Sequence, residues 1–452
     1  STGSGRRFDL PGQVLAPGGF ASFDQTQLCF RAQYGDKLFL YPPGRTSVAD
    51  AVPARALTIG RWPDGSGDWL YLDTPSLESS NTVTLSTDVV INEIMYHHQP
   101  VWEKPAATPP VPFHESTESW IELHNRATND VDLTGWRLDE GIRFGFPPGT
   151  TIPVGGFLVV AKDVAALRAL HPNIAIVGPF TNELSRRSDR LALKDAHDNP
   201  ADVVRYFDGG RWPELADGGG SSLELRDPRA DNAQGEAWSA SNEGRRSQWR
   251  TYTYRGVAQS SPVGPDGQWR EFVLGLIEAG EVWLDDISVV EDPDGARVQM
   301  LQNTTFATGT NAWRVIGNHH GEVMADPDQP GNMVLRLAAR GPTEHWSNHA
   351  ETTLANNRSV VNGRVYEISF RAKWIAGCPR LNTRLYFNRL ARTTLLEAPE
   401  INGTPGAENS CGTTNLGPTF EHLAHAPVVP GANQPVTVSV DANDPDGLGS
   451  LT

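Results

Sequence analysis

The run FPPGTTIPVGGFLVVA (residues 146–161) is a proline- and glycine-rich turn feeding apolar, β-branched residues, the pattern of a strand entered from a tight turn. The pattern occurs twice. FDLP (8–11) followed by LAPGGF (15–20) aligns with FP (146–147) followed by IPVGGF (152–157). Further on, GDKLFL (35–40) parallels SDRLAL (188–193), and GRWPD (60–64) parallels GRWPE (210–214), with a glycine-rich turn and a last strand after each. Only the second copy has the opening strands VVINEIMY (89–96), WIELH (120–124) and VDLTGWRL (131–138). Residues 1–86 are thus expected to be the back half of a β-sandwich and residues 87–235 a complete one. Both ends of the chain read as cuts inside a longer protein.

These motifs carry a family resemblance. INEIMY, WIELHN, DLTGWRL, the 146–161 run and the closing GGSSLEL resemble, in that order, a bacterial lamin-tail domain. The resemblance implies an immunoglobulin-like sandwich of the kind that accompanies catalytic or adhesive domains in secreted bacterial proteins.

Beyond Asn232 the strands lengthen, and WRTYTYRGV, WREFVLGLI, EVWLDDISVV, VYEISFRAKWI and TRLYFNRL show the period of two of half-buried strands. VWLDDISVV (282–290) followed by LQNTTFATGTNAW (301–313) resembles the closing and opening strands of carbohydrate-binding jelly rolls in inverted order. Residues 236–396 therefore read as a jelly-roll-like sandwich, either one permuted module or parts of two. The stretch EAPEINGTPGAENSCGTTNLGP (397–418) is a linker by composition, and residues 419–452 resemble the start of an Ig-like module. The module order is similar to that of large secreted proteins with a spore-coat-H-type kinase-like domain, whose own motifs do not occur here. The expected fold class is all-β: tandem β-sandwiches, Ig-like lamin-tail domains and then a jelly roll.

Composition agrees with many short strands and tight turns, with 44 Gly, 34 Pro and 13 Trp in 452 residues. The net charge of −16 argues against nucleic acid as a general partner, because phosphate-seeking surfaces cluster Lys and Arg. No apolar run approaches the roughly 20 residues that cross a bilayer, so membrane insertion is not expected. Cys29, Cys378 and Cys411 fit neither a disulfide framework nor a paired-cysteine zinc site. A Cys378–Cys411 bridge is conceivable, and free thiols are the preferred reading.

No hydrolase elbow, phosphate loop or HExxH helix occurs, so the segment is not expected to be an enzyme. Glu122 and His124 share a strand face, and solvent-facing polar residues explain them better than a catalytic pair does. The histidines of NHH (318–320) and EHWSNHAE (344–351) invite a metal reading. His345 and His349 would stand about 13 Å apart along a strand, which leaves His349 and Glu351 with His319 or His320 as the workable zinc set. Carbohydrate-binding jelly rolls often hold a structural calcium, and the resemblance places Asp286 at their ligand aspartate; Ala307, after Phe306, departs from the usual acidic residue. DPDG at 292–295 and 444–447 reads as turns.

The strongest candidate for a ligand lies on two strands. In YEISFRAKWI, Arg371 and Lys373 oppose Tyr366, Ile368, Phe370 and Trp374; in NTRLYFNRL, Arg384, Tyr386 and Asn388 oppose Leu385 and Phe387. Planar donors beside an aromatic suit a polysaccharide or cell-surface glycan, and the cations favour an acidic one, against the plainer reading of a solvated outer face. Trp62, Trp136 and Trp212 are read as packing residues, and the proline-rich loop 99–116 as a place to display a partner site. Three functions compete: an extracellular or cell-surface scaffold that binds glycan or matrix, the accessory region of a secreted kinase-like or hydrolytic enzyme, and a metal-dependent enzyme within these residues.

Overall fold

Period-two alternation of apolar residues assembles the first sandwich from β1 (Val89–Met95), β2 (Trp120–Asn125), β3 (Arg137–Glu140), β4 (Phe144–Gly145), β5 (Phe157–Ala161), β6 (Ile176–Val177), β7 (Ser188–Lys194), β8 (Pro200–Phe207), β9 (Leu223–Leu225) and β10 (Trp238–Ala240). The computed structural model describes residues 5–12, 14–104, 109–261, 270–342 and 347–449. One sheet runs β6-β5-β2-β1-β9-β10 and the other β8-β7-β3-β4. Ile94, Ile121, Leu123 and Val160 from the first meet Leu138, Leu191, Leu193 and Tyr206 from the second in a common core. This is sheet-on-sheet packing driven by removal of apolar area from water. Trp136 and Trp212 lie in this core, as packing residues.

The six-stranded sheet is buried on both faces. A register shift between Ile91 and Glu93 marks a bulge in β1, after which Glu93 and Met95 point away from the core. Met95, Trp120, Val159 and Ala161 on that outer face pack under Leu167 of the helix Val164–Leu170, which Asp163 caps.

The second sandwich comprises β11 (Arg250–Val257), β12 (Glu271–Leu276), β13 (Gly280–Glu291), β14 (Trp313–Ile316), β15 (His319–Ala325), β16 (Met333–Ala339), β17 (His349–Thr353), β18 (Val365–Gly377), β19 (Arg380–Leu385) and β20 (Leu390–Leu395). A sheet ordered β11-β18-β13-β16-β15 faces one ordered β14-β17-β12-β19-β20. Their core takes Tyr366, Ile368, Phe370 and Trp374 from β18 and Leu381 and Leu385 from β19. Consecutive strands β18 and β19 belong to opposite sheets. The inward set expected from YEISFRAKWI is the one observed.

Among the described residues before Asp88 there are two hairpins, Lys37–Leu40 with Asp50–Pro53 and Ile59–Trp62 with Asp68–Tyr71. The second hairpin docks on the first sandwich through reciprocal bonds between Tyr71 and the Asn199 side chain, 2.8 and 2.9 Å. Trp62 is 39% exposed, so the packing role expected of it holds only for its counterpart Trp212. Near the C-terminus, Thr419–Ala426 pairs with Thr437–Asn443.

Residues 397–418 differ from the expected free linker. After β20 the chain returns to the first sandwich and lies across the outer face of β1, β2 and β9. Asn409 Nδ2 donates to the carbonyls of Asn92 and Leu225 at 3.1 and 2.8 Å, its Oδ1 accepts from Asn92 at 3.0 Å, and Leu416 joins the first core. Composition misleads here because glycine, threonine and asparagine serve an ordered strap as well as a mobile one: Gly403 and Gly406 have φ of 72° and 80°, a region glycine enters freely. The second sandwich is thus inserted between β10 and the strap of the first sandwich. Asn409→Ala leaves two carbonyls unpaired and is expected to destabilise the first sandwich by about 2 kcal/mol, read as a lower urea midpoint. An unchanged midpoint contradicts the strap.

Candidate functional site

The five residues expected to bind a glycan do not converge. Arg371 and Lys373 project from β18, whereas Arg384 projects from β19 in the other sheet, so the two groups occupy opposite outer faces. The donors of the first group are already engaged. Arg371 Nη1 bonds Asp285 at 3.1 Å and Asp286 at 3.4 Å, with its guanidinium 4.8 Å from the Trp249 ring. Lys373 is buried, its Nζ 2.6 Å from Asp328 and 5.2 Å from the Trp283 ring. Both are cations of a structural charge network. Within the second group, β19 ends at Leu385, and Tyr386 and Asn388 belong to the turn that follows it. Phe387 is half-buried against Tyr386 at 4.8 Å and does not enter the core, a correction to strict alternation, which stops with the strand.

The expected metal set is likewise dispersed. His319 and His320 alternate on β15, with His319 buried and His320 exposed. His319 Nε2 accepts the Leu276 N–H at 3.1 Å, which places the ring proton on Nδ1, 2.9 Å from Asn318 Oδ1. Burial and the neighbouring His349 and His320 push His319 down to about 4, so it is a neutral imidazole with both nitrogens in use. Asp286 lies on the far sheet beside the Arg371 guanidinium, an unfavourable neighbour for a calcium ligand. His345 lies outside the described residues. Among the described residues no group of three His, Cys, Asp or Glu side chains is arranged to hold a metal ion. Cys378 and Cys411 are free thiols.

What the fold does assemble is a transverse row on the outer face of the five-stranded sheet. The register puts Arg314, Glu351, Val273 and Arg384 side by side on β14, β17, β12 and β19. His349 with Ile316 and Asn382 with Gly275 occupy the next level. Glu351 accepts from Arg314 Nε at 2.8 Å and His349 Nε2 at 3.1 Å, and the His349 bond, reinforced by Arg314, holds its carboxyl down to about 2. Arg384, lowered by burial, has no ion pair or hydrogen bond among the described residues. Among the described residues this half-buried guanidinium has no partner for its donors, and it lies beside the phenol of Tyr386. Two residues of each expected set of five, Arg384 and Tyr386 with His349 and Glu351, meet here.

A second charged row, missed in the sequence, crosses the first sandwich. Glu93 pairs with Glu122 on one side and Glu224 on the other, three carboxyls abreast on the outer face of β2, β1 and β9, and all are fully buried. Like charges in register destabilise a sheet unless protons or donors compensate. The strap supplies donors. Thr404 N–H bonds Glu93 at 2.8 Å, Gly406 N–H bonds Glu122 at 2.5 Å, Cys411 N–H and Ser410 Oγ bond Glu224 at 2.9 and 2.8 Å, and Thr404 Oγ1 reaches Glu224 at 2.8 Å. Ser222 adds a bond to Glu93, and Gly403 N–H reaches buried Glu243 at 2.9 Å. Burial, with Glu122 and Glu224 alongside, raises Glu93 well above the carboxylate range; burial pushes Glu122 up to about 8. The reading of Glu122 and His124 as solvent-facing is therefore corrected. Glu122 lies under the strap, and His124 is half-buried on the Phe157 ring at 4.6 Å. The available signal was a glutamate at the outward position of each of three adjacent strands whose inward positions are apolar.

Residues 82–208 match the family model of the Lamin Tail Domain. The matched module is an immunoglobulin-like, non-catalytic fold, in agreement with the sheets described above. The lamin-tail match ends before β9, β10 and the strap, all of which complete the same sheet and its cover. No curated protein matches the chain.

The glutamate row gives the lamin-tail sandwich a characteristic pH dependence. Folded Glu122 keeps its proton up to about pH 8, whereas the unfolded carboxyl releases it near 4.5, so the folded state binds more protons between those values. Stability from this group is complete below about pH 4.5 and is lost as pH rises toward 8. The unfolding midpoint of this sandwich is expected to fall from pH 5 to pH 8, with a shallower slope in Glu122→Gln. A midpoint that rises over that window contradicts the assignment.

Proposed function

We propose that this chain is a non-catalytic extracellular scaffold and binding segment, in which the lamin-tail sandwich is the rigid support and the jelly roll presents a glycan-binding face. The observation that carries the reading is Arg384, a half-buried guanidinium with no hydrogen bond or ion pair among the described residues, set beside Tyr386 at the outer face of the sheet ordered β14-β17-β12-β19-β20. Planar donors bind sugar hydroxyls or carboxylates, and an aromatic ring covers the apolar ring hydrogens. The match of residues 82–208 to a non-catalytic module supports the scaffold role. Secretion is part of the proposal, on the ground of the family resemblance read in the sequence.

The test is retention of the chain on a panel of insoluble polysaccharides. Arg384→Ala together with Tyr386→Ala is expected to weaken retention at least tenfold, about 1.4 kcal/mol, with the unfolding midpoint unchanged. Absence of retention on every polysaccharide, or retention indifferent to both substitutions, contradicts the proposal.

A further inference from the structure

Between the two sandwiches runs a cleft of about 1360 Å³. One wall is an arm that leaves the end of β1 and contains the loop in which a partner site was expected; Val101 pairs with His114 and Lys104 with Val111 along it. The opposite wall is made by adjoining edges of both jelly-roll sheets, Tyr252 on β11 and Arg392 and Thr393 on β20. At the floor the backbones touch. Gly377 N–H donates to the Gly219 carbonyl at 2.7 Å, and a Cβ on Gly219 would stand 3.1 Å from Gly377 Cα. Across it, the Arg380 guanidinium lies 4.4 Å from the Trp102 ring. The chain crosses between the sandwiches twice, after β10 and after β20, so the walls are held at a set distance before any ligand arrives. Such preorganisation lowers the entropic cost of binding.

The charges of the cleft define what fits. Arg380 is engaged by Glu278 at 2.8 Å, and His97 lies between Asp217 at 2.5 Å and Glu115 at 3.4 Å. Glu103, Glu214, Lys104 and Arg392 make no ion pair among the described residues, and over the whole lining five carboxylates (Glu103, Glu115, Glu214, Asp217 and Glu278) face three permanent cations (Lys104, Arg380 and Arg392), an excess of negative charge that repels an acidic ligand. Phe113 is 50% exposed and packs on Trp102 with ring centroids 5.5 Å apart, which leaves ring surface facing solvent. The volume exceeds the roughly 300–1,000 Å³ of a drug-sized site, so the occupant is oligomeric.

We infer that the cleft is a second ligand site, separate from the Arg384 face, and that it takes a neutral oligosaccharide of several rings. Phe113 stacks on the apolar face of one sugar, while Glu103, Glu214, Arg392 and Thr393 bond hydroxyl groups along the chain. An acidic glycan, which the isolated cations of the sequence favoured, meets the excess of carboxylates in the lining here and is disfavoured.

Isothermal titration of the full chain with soluble hexamers of glucose, xylose, mannose, N-acetylglucosamine and galacturonate tests this. At least one neutral hexamer is expected to bind, at least tenfold more tightly than the galacturonate hexamer. In a chain that already carries Arg384→Ala and Tyr386→Ala, so that the cleft alone is read, Phe113→Ala with Arg392→Ala, both at exposed positions, is expected to weaken that binding at least tenfold. Three results overturn the inference: no neutral hexamer binds, binding is indifferent to the Phe113 and Arg392 changes, or galacturonate binds best. Retention on polysaccharide through Arg384 is read separately, so either site can fail alone.

Discussion

Three glutamates abreast on adjacent strands cannot be buried without donors, and this constraint organises the molecule. Glu122, Glu93 and Glu224 lie where an outer sheet face would ordinarily meet water. Here that face is covered, and the cover is a segment whose backbone N–H groups and hydroxyls point at the carboxyls. A buried carboxylate with two or three such bonds is tolerated; one without them carries a desolvation cost of several kcal/mol. The strap and the glutamates are therefore useful only together. Replacing the glutamates with apolar residues would remove the need for the strap's polar atoms, and the sheet would lose its means of selecting that one segment.

From this follows the nested order of the chain. The first sandwich is not finished when the second begins, because its outer face is still bare at Ala240; it is finished only after Leu395, when residues 403–411 return. An inserted module with both ends anchored has far less orientational freedom than one tethered at a single end. The contact of Gly377 with Gly219 and the stacking of Arg380 on Trp102 are local expressions of that restraint. Function follows on the same line, since a cleft with walls from two modules is a stable feature only when the modules hold their places.

Much of the fold was legible in the sequence because it rests on local periodicity. The alternation in YEISFRAKWI gave its core face residue by residue, and the turn-and-strand run at 146–161 gave the family of the first sandwich. The binding site was less legible for a definite reason. Alternation says which residues of a strand share a face, but not to which sheet the strand belongs, so Arg371 and Arg384 were grouped although β18 and β19 lie in opposite sheets. Nor does it say which cations are already engaged: the partners of Lys373 and Arg371 are Asp328, Asp285 and Asp286, which come from other strands and loops. The strap was hidden by composition, since a Gly-, Thr- and Asn-rich segment has the same residues whether it is solvated or docked. Its trace was instead in the partner strands, as glutamates where apolar residues belong.

Hydrogen exchange of the amides of Thr404, Gly406 and Cys411 bears most directly on this account. Each donates to a buried glutamate, and their exchange is predicted to be as slow as that of the β1 and β2 amides beneath them, opening only with the lamin-tail sandwich as a whole. Exchange at the rate of an unprotected linker, while β1 and β2 stay protected, would show that residues 403–411 do not cap the glutamate row and would contradict the nested architecture.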